Sequence, residues 1–281
     1  MHLCISRLQI FAISPFYLHG YIGARKERLM KSHVLPINAY AAISTADEPK
    51  LSAETIPVFS KWLGTWRISL QRRALSEPEL SARYDKSSKT WDRSIERLGF
   101  PAAYRLLLGR AVGNNGPSHV LDCGVGTGAL SRALTDVLDS PFALTAVDVS
   151  DQMLTRAETA LNGTNAETTT CQANATELPF ADESFDMAMT AHMLEHLPEP
   201  EAALFEMVRV LKPGGRFFAC ITRRSLASVM IHLKWRTHRM TADQVAELLE
   251  AAGLVGVENL AIDHAPWCRG LSLAYIGRKP L

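Results

Sequence analysis

The chain has 281 residues and a mass of 31.0 kDa, with 30 Lys and Arg against 29 Asp and Glu. Its content of 47% hydrophobic and 21% charged residues is ordinary for a soluble globular protein and excludes a disordered, collagen-like or coiled-coil chain. The net charge of +1 excludes a globally basic protein that coats nucleic acid. No uninterrupted apolar segment reaches the roughly 18 residues that a membrane-spanning helix needs.

The cysteines indicate a reducing environment. Their number is odd and no two of them have C-x-x-C spacing, so we expect free thiols that are mostly buried, as in a cytoplasmic protein. They are Cys4, Cys123, Cys171, Cys220 and Cys268.

Residues 1–80 lack a strong hydrophobic period, and we expect an N-terminal extension that is partly disordered or helical, with a short helix in Val58–Leu75. The segment Leu8–Gly23 carries no Asp, Glu, Lys or Arg. Four interpretations of the first thirty residues stay open: a secretory signal interrupted by Pro15, a mitochondrial presequence, a dispensable leader before a start at Met30, and a helix that covers the substrate.

Residues 81–281 are predicted to form one domain in which strands alternate with helices. A near-helical period runs through Ala82–Arg110, with a break at 99–101. This alternation predicts an α/β fold, with a parallel sheet and helices on both faces. The predicted strands are His119–Cys123, Phe142–Asp148, Glu167–Gln172, Phe185–Ala191, Gly215–Thr222, Gly256–Asp263 and Leu271–Arg278. The predicted helices are Ala129–Leu138, Asp151–Leu161, Glu199–Leu211 and Thr241–Ala252.

A glycine-rich loop joins the first of these strands to its helix, with the sequence Asp-Cys-Gly-Val-Gly-Thr-Gly at 122–128. Glycines allow a sharp turn and a close approach of a ligand, and the amides at a helix start favour an anionic or carboxylate group. Gly124, Gly126 and Ala129 also fit the dinucleotide motif G-x-G-x-x-A, which leaves a reductase dependent on NAD(P) open. Asp122 disfavours that alternative, because its charge repels a pyrophosphate but can accept from a cationic amino group.

Two further positions indicate a nucleoside. Asp148 ends the second predicted strand, where a carboxylate can accept both hydroxyls of a ribose. It could instead cap the next helix, but Ser150 or Asp151 is better placed to do so. Asn174 and Ala175 follow the third strand, and an amide side chain with a backbone N–H can read the polar edge of adenine.

Together with Leu-Lys-Pro-Gly-Gly at 211–215, these motifs resemble class I S-adenosylmethionine-dependent methyltransferases, and in particular the ubiquinone/menaquinone C-methyltransferase-like (methyltransferase type 11) branch. The resemblance covers about residues 82–281. It implies a Rossmann-like fold with a seven-stranded, mostly parallel sheet whose last strand is antiparallel, and an N-terminal helical cap. It also implies S-adenosyl-L-methionine as the cofactor, bound by Tyr84, Asp122, Gly124, Gly126, Thr127, Gly128, Asp148, Val149, Met153, Asn174, Ala175 and His192.

The implied function is methyl transfer to a small-molecule or lipid-like acceptor of the quinone, phenol or phospholipid type. A protein that binds S-adenosylmethionine without catalysis is the other alternative. The quinone enzymes lack the sequence His-Met-Leu-Glu-His-Leu found at 192–197, whereas many small-molecule methyltransferases have a similar Glu-His-Leu.

His192 and His196 also fit the zinc-protease string H-x-x-E-H. That motif needs a helix, and Pro198 and Pro200 end the segment too early, so we predict no metal site. His196 is a candidate general base, since a histidine titrates near neutral pH. Its alternative role is a hydrogen bond at the entry to the next helix.

A basic segment runs from Met207 to Ala242, with eight Lys and Arg and no Asp or Glu. It is either a solvated helix, or a lid that recognises an anionic acceptor or makes peripheral contact with an anionic membrane. Trp235 is the only aromatic residue in the basic cluster after the fifth strand, which argues against nucleic acid. The predicted acceptor-binding residues are Trp91, Arg223, Arg224, Trp235 and Arg236.

Overall fold

The computed structural model describes residues 10–11, 40–44, 55–63, 66–73, 79, 96–113, 116–226, 228–229, 231–232, 237–238, 240–262 and 270–281. The chain divides into two compact units, Met1–Ala74 and Leu75–Leu281. The domain boundary after residue 80 stays a prediction. Tyr84, Trp91, Trp235 and Arg236 lie outside the described residues, as does the helical cap expected around Tyr84.

The first unit contains a four-stranded sheet in the order β1-β2-β4-β3. Its strands are β1 (Ile10–Phe11), β2 (Tyr40–Ser44), β3 (Thr55–Leu63) and β4 (Trp66–Arg73). The helix predicted within Val58–Leu75 is wrong, because β3 and β4 pair as antiparallel strands with Leu63 opposite Trp66. The segment is rich in β-branched and aromatic residues, and two residues separate its halves, which is the pattern of a β-hairpin.

The second unit contains a seven-stranded sheet in the order β10-β11-β9-β8-β5-β6-β7. The strands are β5 (His119–Cys123), β6 (Phe142–Asp148), β7 (Ala166–Gln172), β8 (Phe185–Ala191), β9 (Leu211–Thr222), β10 (Val255–Leu260) and β11 (Ser272–Arg278). The helices are α1 (Phe100–Ala111), α2 (Ala129–Thr135), α3 (Asp151–Leu161), α4 (Pro200–Val210) and α5 (Ala242–Ala251). Strands β5 to β9 pair in parallel, and β11 is antiparallel to both β9 and β10. The predicted fold class is confirmed.

The core lies in two layers, one on each face of this sheet. One buried cluster includes Leu108 of α1 and Leu134 of α2, and the other includes Leu204 of α4 and Leu249 of α5. The central strand β5 is buried at four of its five positions, because helices cover both faces. This explains why apolar residues of β5 point to both faces, as the neighbours Val120 and Leu121 do, rather than alternating with exposed polar residues.

The topology brings the ends of several strands together. From β5 the chain builds β6 and β7 on one side, and it then returns to place β8 on the other side of β5. In open α/β sheets, such a reversal leaves a crevice at the carboxyl ends of the strands, where ligands bind. The segments that follow β5, β6, β8 and β9 therefore share one edge of the sheet.

Two properties of the described residues bear on the sequence predictions. Cys123, Cys171 and Cys220 are free thiols as predicted, and Cys123 and Cys220 are buried, whereas Cys4 and Cys268 lie outside the described residues. None of the helices in the described part of the chain has the length and apolar character needed to cross a membrane.

Candidate functional site

The glycine-rich loop adopts a left-handed backbone, which favours glycine. Gly124, Gly126 and Gly128 have φ angles of 76°, 55° and 85°. A Cβ on Gly124 would lie 2.5 Å from Cγ of Met193, and one on Gly128 would lie 3.2 Å from Cα of Ala157. The loop therefore combines left-handed backbone with close packing against its neighbours, which explains the spacing of its glycines.

Asp148, at the end of β6, organises this loop. Its Oδ2 accepts from the amide of Gly126 at 2.9 Å, and its Oδ1 accepts from the amide of Ser150 at 3.0 Å. The amides of Gly124 and Val125 donate to the carbonyl of Val147, just before it, at 2.8 and 2.9 Å. The carboxylate thus holds the loop and the start of α3 together. Its role as a ribose acceptor stays a prediction, and Ser150 provides the helix cap.

Asp122 lies beneath the loop at 1% exposure. Its Oδ2 accepts from the hydroxyl of Ser131 at 2.6 Å, whereas its Oδ1 has no hydrogen-bond partner among the described residues. Burial, together with a smaller effect of the charge on Asp148, raises the pKa of Asp122 to about 7 against the lowering effect of the hydrogen bonds from Ser131. A buried carboxyl with an unsatisfied oxygen is suited to receive a cationic donor.

The residues predicted to meet adenine lie near the ends of β6 and β7. Asn174 Oδ1 accepts from the amide and the hydroxyl of Thr176 at 3.0 and 2.9 Å, which fixes a tight turn. Ala175 is buried, and Val149 is half-buried, as is Thr127 of the loop. Met153 is only 1% exposed, so an adenine contact through its side chain requires that side chain to move.

At the end of β8, a buried network centres on His192 and Glu195. His192 has a φ of 56°, and its amide donates to the carbonyl of Cys220 at 2.7 Å. Its Nδ1 lies 3.2 Å from Glu195 Oε1 and 3.1 Å from Thr222 Oγ1, and its ring meets that of Phe100 edge-on at 5.4 Å. Glu195 Oε1 also accepts from the amide of Thr222 at 2.8 Å. The network ties the end of β8 to the end of β9.

The two histidines of this segment differ in charge. Burial acts to lower the pKa of His192, but contacts with Cys220 and Glu195 raise it to about 10. Burial acts to raise the pKa of Glu195, but His192 holds it at about 2. His192 and Glu195 therefore form a buried ion pair. Burial lowers the pKa of His196 to about 4, so this ring is neutral at pH 7. Its role as a general base stays a prediction.

Sequence reasoning did not assign a role to Glu195, although the H-x-x-E-H string contains it. The segment 194–196 forms a short 3-10 helix rather than the longer helix of a zinc site. No group of three or more His, Cys, Asp or Glu suited to a metal ion occurs in the parts of the chain that the structure describes.

The start of the basic segment lies at the same edge of the sheet. Arg223 and Arg224 follow β9 directly and are both exposed, and Leu226 is 93% exposed. The amide of Arg223 donates to the carbonyl of Leu271 at 2.7 Å, which fixes its backbone next to β11. Two positive charges and one apolar side chain are therefore presented to solvent beside the network of His192.

Comparison with known proteins agrees with this geometry. Residues 121–219 match the family described as "Methyltransferase domain". A demethylmenaquinone methyltransferase of Clavibacter sepedonicus is 35% identical over 144 residues, which are 50% of this chain and 57% of that protein. A ubiquinone/menaquinone biosynthesis C-methyltransferase of Psychromonas ingrahamii is 38% identical over 99 residues, 34% of this chain and 39% of the relative. The chain spans about half the length of the curated relatives it matches.

Among solved structures, the complex of the Trm112 methyltransferase activator and a methyltransferase from Haloferax volcanii has a TM-score of 0.59 at 19% identity. The alignment covers 72% of this chain and 98% of that one, and it establishes the fold. The strand order, the glycine loop and the matched segment confirm the resemblance noted in the sequence: residues 121–219 match the methyltransferase domain family, the unit that contains them has the class I fold, and half of the chain is similar to the ubiquinone/menaquinone C-methyltransferase branch.

Proposed function

We propose that this chain is an S-adenosylmethionine-dependent methyltransferase that acts on a small-molecule or lipid-like acceptor. The observation that carries the proposal is the pairing of two carboxylates around one glycine loop. Asp122 presents an unsatisfied buried oxygen, and Asp148 lies at the end of the next strand. This arrangement suits a ligand with a cationic amino group at one end and a ribose at the other, which a dinucleotide does not match.

The proposed cofactor site uses the residues that the structure gathers at this edge. Asp122 and the amides of the loop would hold the amino and carboxylate groups of the methionine moiety, and Asp148 the ribose. Val149 and Met153 would enclose adenine, with Asn174 and Ala175 at its polar edge. The bound sulfonium supplies an activated methyl group, so the protein's main task is to align the acceptor and exclude water.

We assign the acceptor to the surface beside His192. Arg223, Arg224 and Leu226 offer charge and apolar area there, which suits an acceptor with an anionic or polar head and an apolar body, as in a quinone-type or lipid-like molecule. The names of the curated relatives support the quinone type. Peripheral contact with a membrane at this surface would give access to such an acceptor. The proposed acceptor-binding residues also include Trp91, Trp235 and Arg236.

A proton must leave the acceptor only when the attacking atom is a hydroxyl oxygen or an acidic carbon. His196 stays the proposed base, because its ring is neutral at pH 7, but burial lowers its pKa to about 4 and makes it a weaker base than a histidine that titrates near neutral pH. His192 is less suited, because its ion pair with Glu195 keeps it protonated. His192 and Glu195 would instead hold the floor of the acceptor site in place.

Calorimetric titration with S-adenosylhomocysteine and with NADH tests the cofactor. Binding of S-adenosylhomocysteine alone is expected, and its loss in Asp122→Ala would locate the site. Turnover is then measured with methyl-labelled S-adenosylmethionine and a demethylated quinone, a phenol or phospholipid vesicles. Binding of NADH alone would favour a reductase. Cofactor binding with no turnover on any acceptor would favour a non-catalytic binding protein.

A further inference from the structure

The segment between β7 and β8, residues 173–184, runs from the proposed adenine site at the carboxyl end of β7 to the opposite edge of the sheet, where β8 begins. The amide of Ala173 donates to the carbonyl of Asp148 at 3.2 Å, so the segment starts beside the proposed ribose acceptor. The amide of Glu177 donates to the carbonyl of Asn174 at 3.0 Å and closes the turn that carries Asn174 and Ala175. The position of this turn then depends on what holds the chain directly after it.

Arg209, in the last turn of α4, holds that part of the chain. Its guanidinium donates to the carbonyls of Leu178 and Phe180 at 3.0 and 2.8 Å, and to Asp182 Oδ1 at 2.7 Å. It also donates to both carboxylate oxygens of Glu206, at 2.7 and 2.8 Å. Glu206 in turn accepts from the amide of Leu178 at 2.8 Å. Leu178 is therefore fixed at both its N–H and its C=O.

The geometry of this contact is specific to arginine. One planar guanidinium serves two carbonyls and two carboxylates at once, which the single ammonium group of a lysine cannot do. The pair is about a quarter exposed, at 30% for Arg209 and 22% for Glu206, so a simple surface ion pair would contribute little. The carbonyls of Leu178 and Phe180 lie inside a connecting segment, and the guanidinium provides partners for both.

Packing links Leu178 to the adenine-edge residues. Leu178 and Ala175 are 4% and 8% exposed, and both belong to the buried cluster that contains Leu204 and Met207 of α4. A shift of Leu178 away from α4 would open this cluster and carry the neighbouring turn with it, because cores of this density do not tolerate a gap.

We propose that Arg209 and Glu206 are positioning residues for adenine recognition, acting through Leu178 to set the place of Asn174 and Ala175 relative to Asp148. This inference deepens the proposed function and rests on it. Arg209 and Glu206 would therefore affect which base the site accepts. They would not affect binding of the methionine moiety, which is proposed to contact the loop after β5.

The test compares S-adenosylhomocysteine with S-inosylhomocysteine, which differ only at the polar edge of the base. The unaltered chain should prefer the adenine ligand, because a site that hydrogen-bonds one edge rejects its analogue. In Arg209→Gln, the affinity for S-adenosylhomocysteine should fall by about tenfold, the equivalent of one hydrogen bond. The affinity for S-inosylhomocysteine should change much less. The ratio of the dissociation constant of S-inosylhomocysteine to that of S-adenosylhomocysteine should therefore become smaller.

Arg105→Gln is the matched control, because Arg105 of α1 makes an exposed ion pair with Asp136 at 3.1 Å, and neither residue belongs to the segment. It should leave both dissociation constants unchanged. Arg209→Lys and Glu206→Gln serve if Arg209→Gln does not fold, and each should reduce the ratio in part, since each keeps some of the contacts to Leu178.

An equal loss of affinity for both ligands would overturn the inference, since Arg209 would then support the fold alone. An unchanged ratio in all three variants would overturn it as well. Equal binding of the two ligands by the unaltered chain would show that no residue reads the base edge, which also overturns it. If the unaltered chain binds neither ligand, it is the proposed function that fails.

Discussion

Replacing Asp148 tests whether one carboxylate both shapes the glycine loop and receives the cofactor. Asp148→Ala removes the acceptor of two backbone amides, those of Gly126 at 2.9 Å and Ser150 at 3.0 Å. A hydrogen bond to a charged group contributes about 1.5–3 kcal/mol. Because Asp148 is only half-buried, water recovers part of each bond, and we expect a total loss of about 2–4 kcal/mol in the organisation of the loop.

This loss should reach the cofactor, because a disordered loop must be ordered again on binding. It corresponds to a rise of about 30- to 700-fold in the dissociation constant of S-adenosylhomocysteine. Isothermal titration calorimetry measures this constant, and the melting temperature without ligand reports how much of the loss is already present in the free protein.

Asp151→Ala is the matched control, since Asp151 is an exposed aspartate in the first turn of α3, three residues further along. It should leave the affinity within about twofold, as is usual for surface substitutions. If Asp148→Ala also stays within about twofold, the ribose assignment and the loop argument both fail.

Three further outcomes are expected. Glu195→Gln should lower the free energy of unfolding by about 3–5 kcal/mol near pH 6, since it leaves His192 buried without its counter-charge. The pKa of Glu195 falls from 4.5 to about 2 and that of His192 rises from 6.5 to about 10, so the contribution of the pair is complete only between pH 4.5 and 6.5. The difference from the unaltered chain in pH-dependent denaturation should therefore shrink as the pH falls towards 2 and as it rises towards 10. Gly128→Ala should lower the melting temperature and the cofactor affinity, because the φ of Gly128 is 85° and its new Cβ would lie 3.2 Å from Cα of Ala157. Gly109→Ala in α1 is the control: its new Cβ meets open space, so the change should be neutral or stabilising. Replacing both Arg223 and Arg224 by Ala should raise the KM of the acceptor and leave the affinity for S-adenosylhomocysteine within about twofold; an unchanged KM would make them a solvated face only.

The sequence predicted the α/β unit well, because its central strands are largely buried and are bounded by turn residues. Strand β8 has the limits Phe185–Ala191 in the prediction and in the structure. Strand β9 starts at Leu211 in the structure rather than at Gly215 as predicted. The Pro-Gly-Gly sequence there indicates a turn, yet Leu211 pairs with Phe185 across a register shift. The hairpin of β3 and β4 was missed, since short apolar runs fit a helix and a strand about equally well.

The site was predictable wherever a local motif defined it. The three glycines of the loop and Asp148 are close in sequence to the strand ends that place them. The contact of Glu195 with Thr222, 27 residues away, and that of Arg209 with Leu178, 31 residues away, depend on how β8, β9 and α4 pack. No spacing within a single element indicates such contacts, so they require the tertiary structure.

The insertion of β11 between β9 and β10 also means that β10 reaches the rest of the sheet only through β11. Strand β10 comes before β11 along the chain, yet its partner in the sheet is β11, which pairs in turn with β9. A nascent chain can therefore assemble β5 to β9 in sequence, whereas β10 joins this sheet only through β11, with which it can first pair locally as an antiparallel hairpin. Lys279, just after β11, donates through Nζ to the carbonyl of Leu211 at 2.7 Å and closes this arrangement. Because β11 must find β9 across about fifty residues, we expect its docking to be a late step and the rate-limiting one in folding of this edge.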